Sequence, residues 1–167
     1  MAGYSGTPLP QKLGLKPGAR LGIWAAPPNF THTLGVVPKG VLISDASRGS
    51  SPLDVLVCFA RSRSDLLRLL PRAQKRLDPK GGLWICWPKK ASGVITDVTD
   101  NDVRNLGLEA GLVDNKVCAI DEVWSGLRFV VRVQDRPKAA PIERTRAAVP
   151  KSSRKTARRR VGTGKTG

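Results

Sequence analysis

The run WICWPKKASG at positions 84–93 places two tryptophans, two lysines and a small glycine-ended loop within ten residues. An apolar stretch that breaks at Pro88 into Lys89 and Lys90 could hold a phosphate or carboxylate by point charge. Ser92 and the backbone at Gly93 could add hydrogen bonds, and Trp87, or Trp124 further along, could stack on a flat ring. The plainer alternative is that the lysines keep an exposed loop soluble and the tryptophans are core, since charge after a buried strand is common. Which reading holds depends on what the neighbouring elements bring to this loop.

Other chemistries find little support. His32 is the sole histidine, so no metal site and no Ser-His-Asp or Cys-His arrangement is expected. Cys58, Cys86 and Cys118 each sit in an apolar run (VLVCFA, LWICW, KVCAI) without C-x-x-C spacing, as buried free thiols in a reducing compartment would. Asp121 and Glu122 are neighbours in an expected strand, so they point to opposite faces and do not form a paired acid and base. The ending GTGKTG imitates a phosphate-binding loop, but Arg159 stands where the pattern needs glycine and no strand precedes it. No cofactor and no catalytic residue is assigned on this reading.

The formal charge is +16, unevenly spread: residues 136–167 hold eleven Lys/Arg against one Glu. That segment has scattered prolines and no aromatic residue, and it cannot bury enough apolar surface to offset its ordering entropy. Two regions follow, a folded domain over 1–135 and a disordered basic tail over 136–167. In the tail Arg154, Lys155, Arg158, Arg159, Arg160 and Lys165 could neutralise phosphates of a nucleic acid or other polyanion without reading bases. The beginning MAGYSGTPLP lacks a charged segment followed by an apolar one, and no stretch is long enough to span a bilayer, so a cytoplasmic protein without membrane contact is expected.

Strands are expected at 20–25, 41–44, 54–60, 83–87, 116–123 and 127–133. Leu66, Leu70, Ala73 and Leu77 follow helical spacing, with Pro71 expected to restart a second short helix, and this crossover makes the flanking strands parallel. Thr99 caps another helix, with Asp102 at the capping-box position and Gly111 at the end. Ser125-Gly126 reads as a two-residue hairpin turn. The fold class is thus α/β: a small Rossmann-like, mainly parallel sheet ending in an antiparallel hairpin, plus the tail. Ligands of such sheets bind beyond the carboxyl ends of the strands, where residues 26–28, 61–63, 88–93 and 122–126 collect. Asp45, just after the second strand, occupies the place of a ribose-binding carboxylate, or is an ordinary turn residue.

The ending, from DVLVCF through LDPKGGLWI to the helix and hairpin, resembles the C-terminal half of S-adenosylmethionine-dependent methyltransferases. More closely, GYSGTPL, KLGLKPGA, LWICWPKKASG and DEVWSGLRFVVR resemble an uncharacterised bacterial domain-of-unknown-function family with a truncated Rossmann-like fold, over roughly residues 1–133. The resemblance implies a fold and no activity. Methyltransferases hold their cofactor on a glycine-rich turn after the first strand, and here that position reads LGIWAAPPNF. The expected function is therefore a non-enzymatic module whose tail gives weak, sequence-independent polyanion binding. The alternative is a nucleotide or small anionic ligand-binding protein, as an enzyme a diverged methyltransferase-like transferase lacking the glycine-rich loop.

Overall fold

The computed structural model describes residues 7–136. Helix α1 (Leu9–Leu13) precedes strand β1 (Arg20–Trp24), helix α2 (Phe30–Leu34), strand β2 (Leu42–Asp45) and strand β3 (Leu53–Phe59). Helix α3 (Arg63–Arg76), strand β4 (Leu77–Pro88), helix α4 (Asp100–Glu109) and strands β5 (Leu112–Ala119) and β6 (Trp124–Val131) follow. The tail from 137 onward, with the disorder expected of it and the cationic side chains named above, lies outside the described residues.

The strands form one sheet in the order β2-β1-β3-β4-β6-β5. The first four neighbours in that order pair in parallel, and β6 is antiparallel to both β4 and β5. The mainly parallel sheet with an antiparallel pair at its end is as expected. From β1 the chain moves to β2 on one side and then returns to β3 on the other, so the winding reverses between β1 and β3.

Alternation along the strands builds two cores. Leu56 and Cys58 of β3 and Leu83, Ile85 and Trp87 of β4 face α3 and α4, meeting Leu66, Leu70, Ala73 and Val103. Val55, Val57 and Phe59, with Trp84 and Cys86, face the other way, onto Leu9 and Leu13 of α1 and Phe30 and Leu34 of α2. Burial on both faces is why β3 and β4 read as unbroken apolar runs. The Trp84 indole N–H donates to the Leu13 carbonyl at 3.1 Å, so α1, which the sequence pattern did not announce, closes this face.

Four expectations are corrected. Helix α3 is continuous, with Pro71 inside it. Both Pro71 and Leu67, whose carbonyl loses its donor, lie on the exposed side, where water can replace the missing bond. The segment LDPKGG, expected as part of the crossover with Leu77 on the helical stripe and the strand beginning only at residue 83, is the first half of β4: Leu77 pairs with Leu53 and Gly82 with Val55, across an irregularity. A Cβ on Gly81 would press against the Asp54 backbone, so only glycine passes there. The hairpin reverses at residues 120–123, while Ser125 and Gly126 pair with Ala119 and Cys118 inside the ladder. Asp121 makes that turn: its Oδ1 accepts the N–H groups of Val123 and Trp124, each at 2.8 Å. Asp121 and Glu122 are therefore turn residues, not strand neighbours. Finally, Cys58 and Cys86 are buried but Cys118 is only partly so.

Candidate functional site

Three strand ends meet at the carboxyl edge of the sheet. β1 ends in a turn at Ala25, whose φ of 57° is the one positive value outside glycine among the described residues. That conformation costs an L-residue about 1–2 kcal/mol. The Ala25 carbonyl accepts a hydrogen bond from Arg61 Nη1 at 3.1 Å, and Arg61 follows directly on β3 and Ala60. The guanidinium carbon lies 5.2 Å from the ring centroid of Trp124, the first residue of β6. One side chain thus joins the ends of β1, β3 and β6.

Its surroundings hold it in place. The Arg61 N–H donates to Asp65 Oδ2 at 3.2 Å and its carbonyl accepts from Thr96 Oγ1 at 2.7 Å. Trp124 is buried, with the Phe59 ring edge-on to it at 5.0 Å between centroids. Neighbouring Arg63 is otherwise engaged: its N–H donates to Asp97 Oδ1 at 2.7 Å and its guanidinium pairs with Asp102 at 2.6 Å. Sequence reading places Arg61 on this basic edge but not among the ligand-binding residues, because the residues that hold it come from distant parts of the chain.

After β4 the loop WPKKASG turns tightly. The Lys89 N–H donates to the Val123 carbonyl at 2.7 Å, and residues Lys90–Ser92 form a single 3-10 turn closed by Gly93 at φ 79°. Ser92 Oγ donates to the Lys89 carbonyl at 2.6 Å and accepts from the Val94 N–H at 3.2 Å, so this hydroxyl is used within the loop. Trp87, Lys89, Lys90, Thr99, Asp100 and Ser125 line a hollow of about 410 Å³ beside it. The start of α4 contributes little to an anion there. The Thr99–Asp102 capping box takes the Thr99 and Asp102 N–H groups and Asp100 Oδ1 takes that of Asn101, and the Thr99 N–H foremost holds the Asp102 carboxyl below the usual carboxylate range.

Of the remaining expected site residues, Trp87 borders this hollow but is mostly buried in the α3/α4 core, and Asp45 lies apart from the lysines. Asp45 Oδ1 accepts the Ser47 N–H at 2.9 Å and the Ser47 hydroxyl at 2.6 Å, and that hydroxyl foremost lowers the Asp45 pKa. Asp45 serves its own turn, and three strand spacings, about 14 Å, separate β2 from β4. A larger cleft of about 930 Å³ opens between α1, α2 and the hairpin turn, with Lys12, Asn29, His32, Asp121 and Glu122 among its lining. Sequence reading did not assemble it, since its polar residues share no motif. Burial pushes the Cys58 and Cys86 thiols far above their ordinary range, and no cluster of metal-ligating residues occurs among the described residues. No described helix is long and apolar enough to cross a membrane.

In comparisons with known proteins, no family profile and no curated relative matches the chain. Solved structures do. The fold is similar to a ribosomal protein L11 methylase from Lactobacillus delbrueckii subsp. bulgaricus, at 10% identity and a TM-score of 0.51, over 74% of this chain and 75% of that one. It is also similar to a protein described as a type 11 methyltransferase from Sulfolobus solfataricus, at 13% identity and a TM-score of 0.50, over 76% and 91% of the two chains. The chain therefore has a Rossmann-like methyltransferase fold. This similarity overturns the expected non-enzymatic module, and the ligand-binding, transferase-like alternative fits the fold better; it does not bear on polyanion binding by the tail.

The adenosyl cofactor that such a fold implies can be tested against the turn after β1. Pro27 and Pro28 carry no N–H to offer, Ala25 stands in a glycine-type conformation with a methyl group attached, and the Ala25 carbonyl is taken by Arg61. These residues do not fit a cofactor cradled by a glycine-rich turn.

Proposed function

We propose that the chain is a diverged methyltransferase-like transferase that binds a nucleotide or another small anionic ligand at the carboxyl edge of its sheet, without a glycine-rich loop. The observation that supports this is the cationic rim of Arg61, Lys89 and Lys90 at the ends of β3 and β4, next to the winding reversal between β1 and β3. Lysines on a flexible stem act there as point charges, while the strand ends below them are rigid. Binding and orientation are the contributions assigned to these residues; no acid or base is assigned among them.

Thermal unfolding in the presence of a nucleotide panel, including S-adenosylmethionine, S-adenosylhomocysteine, AMP, ATP and pyrophosphate, tests the reading. A ligand at one hundred times its Kd stabilises by about 2.7 kcal/mol, which raises Tm by several degrees. At least one member should do so, and the double variant Lys89→Ala, Lys90→Ala should lose the rise while its ligand-free Tm stays near wild type. A panel in which no ligand shifts the wild-type Tm refutes the proposal.

A further inference from the structure

We propose that Arg61 is the anion-recognising group of this edge: its guanidinium, set over Trp124 and tied to the Ala25 carbonyl, receives a carboxylate or phosphate of a small ligand through two parallel hydrogen bonds. This rests on the reading of a ligand at the carboxyl edge and names the group that holds it.

Among the described residues, arginines whose side chains are held in place generally have an acidic partner. Arg20 pairs with Asp54, Arg48 with Asp45, Arg63 with Asp102, Arg68 with Asp65 and Arg104 with Asp114. Buried Arg76 donates instead to the carbonyls of Ser51, Ala46 and Arg48. Arg61 differs from all of these. It is exposed and positioned by a ring and a single carbonyl, and no carboxylate pairs with its guanidinium among the described residues. A guanidinium has five N–H donors, and only one Nη1 donor is given to Ala25. The rest form the planar fork that matches a carboxylate or phosphate.

The supports also make sense as preorganisation. A free arginine side chain surrenders about 2 kcal/mol of rotamer entropy when it is immobilised. Here Trp124 and Ala25 have already fixed it, so a ligand meets a donor array that is largely in place. The left-handed Ala25 turn is what presents that carbonyl, and strained backbone of this kind collects at ligand sites. The location agrees, since Ala25 and Arg61 belong to the two strand ends that flank the winding reversal.

The test is isothermal titration of the full chain at low ionic strength with two probes, inorganic pyrophosphate and succinate. Wild type should bind at least one saturably; binding of pyrophosphate alone assigns a phosphate seat, and of succinate alone a carboxylate seat. Arg61→Lys keeps the charge without the fork and should weaken binding about tenfold or more, and Arg61→Met should abolish it. Circular dichroism of both variants should match wild type, and ligand-free Tm should fall only slightly, because the side chain is exposed and only its hydrogen bond to Ala25 and its packing on Trp124 are changed. Trp124→Phe, which retains a ring under the guanidinium, should lie between wild type and Arg61→Lys. Arg61→Lys binding both probes as wild type does would overturn the inference, as would wild type binding neither. The nucleotide panel separates the two proposals. A Tm rise shared equally by wild type and Arg61→Lys sinks the Arg61 seat and leaves a ligand site on the edge, whereas no rise in wild type sinks both.

Discussion

Gly107 and Gly126 illustrate how a residue's neighbours across the core decide its role. Gly107 lies on α4 facing β6, and a Cβ there would overlap the Phe129 ring. In an exposed helix interior, glycine to alanine gains about 1 kcal/mol. Here overpacking reverses the sign, so Gly107→Ala should destabilise by about 1–3 kcal/mol in urea unfolding. Gly126→Val should act the same way, because an added Cβ would stand 3.1 Å from both the Trp84 ring and the Ile120 δ-carbon. A Gly107→Ala variant that unfolds at higher urea than wild type would show that the Phe129 ring yields at no cost. From sequence Gly126 reads as a turn residue, because a turn is what glycine between two apolar runs signals locally. What occupies the space opposite is invisible along the chain.

Elements report the balance between local preference and packing. The Thr99 cap and its Asp102 partner were readable from sequence, since a capping box is complete within one turn. Pro71 misleads for the converse reason. Its local cost is real, but the stripe of Leu66, Leu69, Leu70 and Ala73 against the sheet outweighs one missing hydrogen bond on the exposed side. Pro71→Ala restores a donor for the Leu67 carbonyl and removes a ring clash worth up to about 3 kcal/mol. It also frees the unfolded chain by about 0.4–1 kcal/mol. The variant should therefore be more stable, by about 1–2 kcal/mol in urea unfolding. Equal or lower stability would mean that α3 already accommodates the proline without strain.

At the scale of the whole sheet, two arginines among the described residues stand at opposite strand ends in different settings. At the amino ends of the strands Arg20 binds Asp54 through Nε at 3.1 Å and Nη2 at 2.8 Å, with Asp78 3.5 Å away, and this cluster ties β1, β3 and β4 together. At the carboxyl ends Arg61 is held without an acidic partner among the described residues. The first arrangement serves stability and has a pH signature. Hydrogen bonds from Arg20 hold the Asp54 carboxyl below its ordinary range. A carboxylate whose folded pKa is depressed contributes stability above its unfolded pKa, about 3.9, and loses it as pH falls through the folded value. Wild type should therefore lose more stability than Asp54→Asn on going from about pH 5.5 to about pH 3, as read from urea midpoints at the two pH values. Parallel curves for the two proteins would remove Asp54 from the acid response.

By itself the sequence determined the alternation of strands and helices, the parallel order implied by the α3 crossover, the α4 cap and the placing of Lys89 and Lys90 at a strand end. Each of these depends on patterns a few residues long, or on the length of a connection. Only the tertiary structure decided where the hairpin turns, because Asp121 outcompetes Ser125-Gly126 once β5 and β6 are in register. It alone also decided which cation stands at the winding reversal. Ala25, Arg61 and Trp124 carry no shared motif and meet only because β1, β3 and β6 end at one edge. Contacts between distant segments depend on sheet order and register, which short-range patterns do not encode.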